Sequence, residues 1–351
     1  MMMKLNTGRS CTIAVFAAMG LFAGCANGGS GTSDRSGDDT GGVVASPGAV
    51  ASASLRSRAL SVLELGAVAD HPQLRANAIE AMHAAPELLP PYVRNGLTDE
   101  NRGVRFVAAM TVGRLRMKDL AGLIDPLLID DSESVRAAAM YALHECGRDV
   151  DLAPLGAMLA SQDPEVRGNV AMIFGLLGNR SAAPMLEQAI GRWSEMTNPA
   201  RAKVVDMQLA EALFYLGDTE QVQTIRATLF LPGEQQEAAA LACLMLGRMR
   251  DQGGVGGLER MLTASGEEQR PAEVRMAAMM ALSMLGARIT PQDVAQYATS
   301  QAPELRQQAA ITLGKIGGAG SLALLAPMLD DSDGLVAVAA AGAVAEIERG
   351  R

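Results

Sequence analysis

From about residue 55 onward, apolar residues recur three and four positions apart, and short polar turns interrupt them at regular intervals. That spacing puts one apolar stripe on each segment and predicts an all-α chain. Residues 118–147 show the unit. KDLAGLIDPLLID carries Leu120, Leu123, Leu127 and Leu128 at helical spacing, and Asp131 or Ser132 offers an N-cap. SVRAAAMYALHEC then predicts a second helix, ending at Gly147. The unit repeats: SQDPEVRGNVAMIFGLLG at 161–178 returns as SQAPELRQQAAITLGKIG at 300–317. Aligned on an arginine, copies fall at Arg75, Arg105, Arg136, Arg167, Arg275 and Arg306, with weaker ones at Asp206, Glu237 and Val336. Their spacings run 30, 31, 31, 39, 31, 38, 31 and 30. One helical pair cannot bury its apolar faces alone, so such a period predicts stacked pairs. Pro72, Pro164 and Pro303 stand just inside second helices, where a missing N–H is tolerated. Gly147, Gly178, Gly217, Gly247, Gly286 and Gly317 are the expected exits.

The composition agrees. Apolar residues are 49% of the chain but aromatics only 3%, so Ala, Leu, Met and Val must fill the interior. Small side chains let helices approach closely, and Ala and Leu are strong helix formers.

The recurring V-R-x-x-A signature resembles short bacterial HEAT repeats over roughly residues 55–348. The resemblance implies a right-handed α-α superhelix of about nine helix pairs, with the second helices lining a concave wall. The family mostly supplies binding surfaces. Some relatives resemble bilin lyases, which leaves a lyase-like enzyme subunit as a further alternative.

The first 24 residues read differently. Lys4 and Arg9 precede the short apolar run CTIAVFAAMGLFAG, the layout of a cleaved signal peptide. The end of that run, LFAGC, resembles the lipobox of bacterial lipoproteins, with Ala23 and Gly24 before Cys25 and with Phe22 where that family usually has Leu. The resemblance implies a lipidated Cys25 and an extracytoplasmic, membrane-anchored protein, at the outer membrane in a didermal bacterium. An ordinary secreted protein and a retained anchor are the other readings. Residues 25–54, rich in Gly, Ser and Asp, predict a flexible tether, and 55–351 the repeat body. Loss of residues 1–24 takes the net charge from −9 to −11. No basic footprint for phosphate backbones is present, so a nucleic-acid partner is not expected.

The anchor arginine sits in the first turn of its helix and inside the apolar arc, where a cation needs a partner. The preceding turns offer Asp70, Asp99, Asp130, Asp131 and Asp163, which predicts an Asp–Arg ladder along the stack. Anion capture by exposed guanidinium groups is the competing reading. Positions two, five and nine after the anchor lie opposite the core stripe. They place Met110, Tyr141, Met172, Leu176, Tyr215, Met280, Met284 and Ile311 on the wall that faces the groove. Either a tight winding buries them as core, or they line an adaptable apolar surface for a peptide or helix. The two longer copies carry insertions near 191–203 and 249–273, and the lone Trp193 either caps a lengthened helix there or forms part of a binding loop.

Catalytic chemistry is not legible. His71, His83 and His144 form no H-E-x-x-H, no C-x-x-C occurs, and no G-x-S-x-G or phosphate-binding loop appears. Cys146 and Cys243 fit as buried small hydrophobes, too far apart along the stack for a disulfide. The expectation is a lipid-anchored scaffold that binds a protein or peptide, without cofactor, metal or enzymatic activity. A structural spacer in an envelope complex is the alternative.

Overall fold

The computed structural model describes residues 47–192, 198–231 and 235–350. The expected signal segment, Cys25 and Trp193 lie outside the described residues. Seventeen α-helices follow one another: α1 (Pro47–Ala67), α2 (Pro72–Ala81), α3 (Leu89–Gly96), α4 (Arg102–Arg114), α5 (Glu133–Glu145), α6 (Ala153–Met158), α7 (Pro164–Leu177), α8 (Ala183–Ala189), α9 (Pro199–Tyr215), α10 (Val222–Thr228), α11 (Gln236–Arg248), α12 (Val255–Thr263), α13 (Ala272–Met284), α14 (Pro291–Ala298), α15 (Pro303–Ile316), α16 (Gly318–Met328) and α17 (Gly334–Arg349). This is a HEAT-like α solenoid. Helix α1 begins at Pro47, ahead of residue 55, where the repeat body was expected to start.

The second helices start where their caps predict. Asn101, Asp163, Asn198 and Asp333 each accept a backbone N–H two residues on. Pro72, Pro164 and Pro303 occupy first helical positions. Two expectations fail locally. Residues 118–129 form two short 3-10 segments, Lys118–Leu123 and Asp125–Ile129, not one α-helix. Pro126 lies one residue inside the second segment, and its ring is incompatible with a continuing α-helix. Gly247 is not an exit either: it lies inside α11, and a Cβ there would come within 2.9 Å of Ala281 Cα. The left-handed turn residue of that copy is Arg250, with φ 53°.

Nine of the helices form an inner layer. In order, α2, α4, α5, α7, α9, α11, α13, α15 and α17 each pack on the next, and α17 packs on both α1 and α2. Among the described residues the stack therefore closes into a ring, which the repeat period alone does not require. Small residues make the close approaches possible: a Cβ on Gly113 would meet the Tyr141 ring at 2.6 Å. The same holds across the seam, where a Cβ on Gly342 would stand 2.8 Å from Ala81 Cβ. The main apolar core runs through this seam, joining Leu63, Ile79 and Val93 to Val336, Val344 and Ile347. Arg58 pairs with Asp330 at 2.9 Å, and Arg349 donates to the His83 carbonyl at 2.8 Å, each spanning nearly the whole repeat body.

The arginine ladder is present with a different direction from the one expected. Arg75 donates through Nε and Nη2 to both carboxylate oxygens of Asp99, at 2.7 Å each. Arg105 does the same to Asp130 at 2.8 and 2.9 Å and adds Asp131 at 2.8 Å. Arg306 holds Asp331 at 2.8 Å twice. The carboxylate comes from the turn of the following copy, not the preceding one. The preceding turn supplies backbone carbonyls instead, such as Asp70 O to Arg75 at 2.7 Å and Ser161 O to Arg167 at 2.6 Å. Asp70 and Asp163 are thus not carboxylate rungs; the Asp163 side chain caps α7. The ladder is also broken. Arg136 leans on the half-exposed Glu133 of its own helix, because Ser161 stands where a rung carboxylate would. Arg275 leaves a buried Nε without a hydrogen-bond partner, while nearby Arg270 donates to the carbonyls of Leu229 and Leu231.

Candidate functional site

The wall formed by positions two, five and nine after each anchor faces the inside of the ring. Closure decides its character. Met110, Tyr141 and Met280 are at most 4% exposed and belong to the core, so they do not line an open groove. Met172, Leu176, Tyr215, Met284 and Ile311 are half-buried. On the inner side of α7, α9 and α11, Met172, Gln208 and Tyr215 surround a space of only about 20 Å³, enough for a single water. Beside it lies a feature that sequence reasoning missed: Arg248 donates to both oxygens of Glu211 at 3.0 and 2.9 Å, with both side chains buried. Glu211 stands at a wall position, and Arg248 ends the following inner helix. The two are 37 residues apart, so no local spacing announces the pair.

The wall is open at the seam. Between α2, α15 and α17 a cavity of about 240 Å³ is lined by Asn77, Glu80, His83, Gln307, Lys315 and Arg349, among others. Ile311 is the one expected partner residue that borders it. Its floor is largely apolar, with Ile311, Val338 and Ala339, and its charged groups are mixed in sign. Lys315 Nζ pairs with Glu346 at 2.6 Å, and His83 Nε2 is hydrogen-bonded to Thr111 Oγ1 at 3.0 Å. Burial pushes the His83 imidazole down to about 4, helped by the nearby charges of Arg114 and Arg349. Glu80 differs from these neighbours. Its Oε1 is out of contact with solvent and has no hydrogen-bond partner. Burial pushes its carboxyl up to about 8, with Arg114 pulling the other way. The signal for this site was present as Glu80 and Lys315 at wall positions of the first and eighth copies, but their meeting depends on ring closure.

The other singled-out groups are inert. Cys146 and Cys243 are free and buried, and burial pushes the Cys243 thiol up to about 12. Among the described residues, no group of His, Cys, Asp and Glu is placed to hold a metal ion. No described helix is long and apolar enough to cross a membrane.

Comparison with known proteins agrees on the repeat. Residues 267–345 match the family model for HEAT repeats. That match, at the C-terminal copies, supports a HEAT-repeat protein. Among solved structures, an engineered protein is 17% identical with a TM-score of 0.31, covering 87% of this chain and 97% of its own. Human deoxyhypusine hydroxylase in complex with glycerol is 15% identical with a TM-score of 0.35, covering 85% and 99%. The complex of CpcE and CpcF of phycocyanin lyase from Nostoc sp. is 18% identical with a TM-score of 0.37, covering 68% and 92%. No curated protein matched.

Proposed function

We propose that the protein is a lipid-anchored, extracytoplasmic scaffold that holds a protein or peptide partner at the ring seam, in a cell-envelope process. The observation that carries this reading is the cavity of about 240 Å³ at the junction of first and last copies, in a ring whose inner wall buries Met110, Tyr141 and Met280. HEAT-type stacks present rigid surfaces built from many copies, and here one stretch of that surface is left open, apolar in its greater part with a few charged groups. The membrane part rests on LFAGC and on the Gly/Ser/Asp-rich run between Cys25 and α1. A tether there places the ring near a bilayer without embedding it. A spacer giving reach or elasticity is less well supported, because a closed ring has no free end from which to extend.

Two measurements test the reading. Cys25→Ser should abolish incorporation of labelled fatty acid and move the protein from the membrane fraction to the soluble one; unchanged fractionation would defeat the anchor. A photo-crosslinking residue at position 311 should capture one defined protein in intact cells, and a control at exposed Leu65 should not. Identical, diffuse labelling at both positions would defeat the scaffold.

A further inference from the structure

The seam cavity has one unmet demand. A buried carboxyl oxygen without a hydrogen-bond partner costs free energy unless a donor arrives. Glu80 Oε1 is such an atom, and Glu80 lines the cavity. Arg114 acts on Glu80 through its charge without a hydrogen bond to Oε1, and the cations that line the cavity are engaged elsewhere: Lys315 by Glu346, and Arg349 by the His83 carbonyl. On the wall Lys315 and Arg349 oppose an entering cation and Glu346 favours it, so the attraction must come from Glu80 as it ionises. The cavity is larger than the roughly 150 Å³ that accommodates a benzene ring. Asn77 and Gln307 add side-chain amides that accept and donate.

We propose that the seam cavity binds a cationic nitrogen group, a guanidinium or ammonium, with Glu80 as its counter-ion. The group is carried by a basic side chain of the partner or by a free small amine. This deepens the scaffold reading and rests on it for the first source. A bidentate guanidinium suits a carboxylate geometrically, and the pairing is strongest where water is thin. Lys315, Arg349 and Arg114 oppose the incoming charge, whereas Glu346 favours it; His83 is neutral at the wall. Ionisation of Glu80, resisted by burial in the empty site, becomes favourable once the cation is seated.

The test is calorimetric titration of the full lipidated chain in detergent micelles. The probes are agmatine, an end-blocked alanine pentapeptide with a central arginine, and the same peptide with citrulline. At least one arginine-like probe should bind, and the citrulline peptide should bind at least about tenfold more weakly, the loss expected from removing one charge-assisted pair. Glu80→Gln should show the same loss while its circular dichroism stays native and its unfolding stays cooperative. Ala339→Phe, which fills the cavity without touching its charges, should weaken binding too. Tighter binding of the peptide assigns the group to the partner, and tighter binding of agmatine assigns it to a free amine. No binding of either at millimolar concentration, or full affinity in Glu80→Gln, would overturn the site. If position 311 still captures its protein in Glu80→Gln cells with undiminished yield and neither probe loses affinity for that variant, the scaffold survives and this inference falls. If agmatine binds and no protein is captured, the reverse holds.

Discussion

Arg75 and Asp99 are joined by two parallel charge-assisted hydrogen bonds, and Asp99 also accepts the Asn101 backbone N–H at 2.9 Å. One carboxylate thus fixes the start of its own helix and the arginine of the copy before it. Arg105–Asp130 and Arg306–Asp331 repeat the arrangement, with Ser132 and Asp333 as the backbone donors. Each rung therefore sets the distance and angle between neighbouring copies.

Removing one side of a rung should be costly. Arg75→Met leaves a mostly buried carboxylate without its cation, and the loss should be about 3 kcal/mol in urea unfolding. Arg75→Met with Asp99→Asn keeps the turn and removes the stranded charge, so about half of the loss should return. Acid should act on the same rungs. Hydrogen bonds from Arg306 hold Asp331 below the ordinary value of 3.8, with burial opposing. A depressed carboxyl contributes stability above that value, which is lost as the pH falls through the folded pKa. Arg306→Met should flatten this acid limb, and an unchanged acid-unfolding curve would count against the rung.

Glu211 and Arg248 should behave as a specificity device more than a stabiliser. Glu211→Gln alone should cost about 3 kcal/mol, because it strands a buried guanidinium. Glu211→Leu with Arg248→Met should come within about 1 kcal/mol of the parent, since apolar packing often replaces a buried pair without loss. Melting temperatures of the three proteins decide the matter; equal damage in single and double variants would show that the pair is net stabilising.

Glu80 predicts an alkaline weakness. Its folded pKa of about 8 lies above the ordinary 4.5, so its favourable contribution is complete below 4.5 and is lost as the pH rises to about 8. Glu80→Gln should therefore gain stability over the parent as the pH rises, reaching a few degrees of melting temperature by pH about 8. His83 works in the opposite sense: its pKa of about 4 makes stability fall as the pH drops from 6.5 toward 4. Stability curves of Glu80→Gln and His83→Asn across both windows separate the two, and parallel curves would contradict the burial of both groups.

Ring closure depends on glycine at the seam. A leucine at Gly342 would drive its side chain into Ala81, so Gly342→Leu should open the seam. Spin labels at the exposed Ser57 and Ser332 flank the Arg58–Asp330 bridge, and their separation should lengthen and broaden in the variant. An unchanged narrow distance distribution would show that closure does not rest on this contact.

The repeat frame was legible because helices obey local rules. Apolar residues at three- and four-residue spacing, Ser132 at a helix start, and Pro164 at a first turn are short-range facts. The rungs were half legible. An arginine in an apolar arc announces a need for an anion, but which turn supplies it depends on how one copy tilts against the next. In the second, third and fourth copies the residue six positions before the anchor holds a clue in retrospect: it is Asp99 and Asp130 where a rung forms, and Ser161 where it fails. Whether the apolar wall was core or available surface stayed open in the sequence, because amphipathic phase cannot tell a face turned to solvent from one turned to a neighbour; at Met110, Tyr141 and Met280 it is core.

By itself, then, the sequence determined the helices, their pairing, their order and the interior made of small and aliphatic side chains, since each follows from contacts within about forty residues. Only the tertiary structure decided that α17 returns to α1 and α2, that Met110, Tyr141 and Met280 are buried on the inner wall, and that Glu80, Lys315 and Arg349 line one cavity at the junction. Small tilts between neighbouring copies accumulate around the stack. Their sum, which no single repeat records, determines whether the chain spirals onward or meets its own beginning.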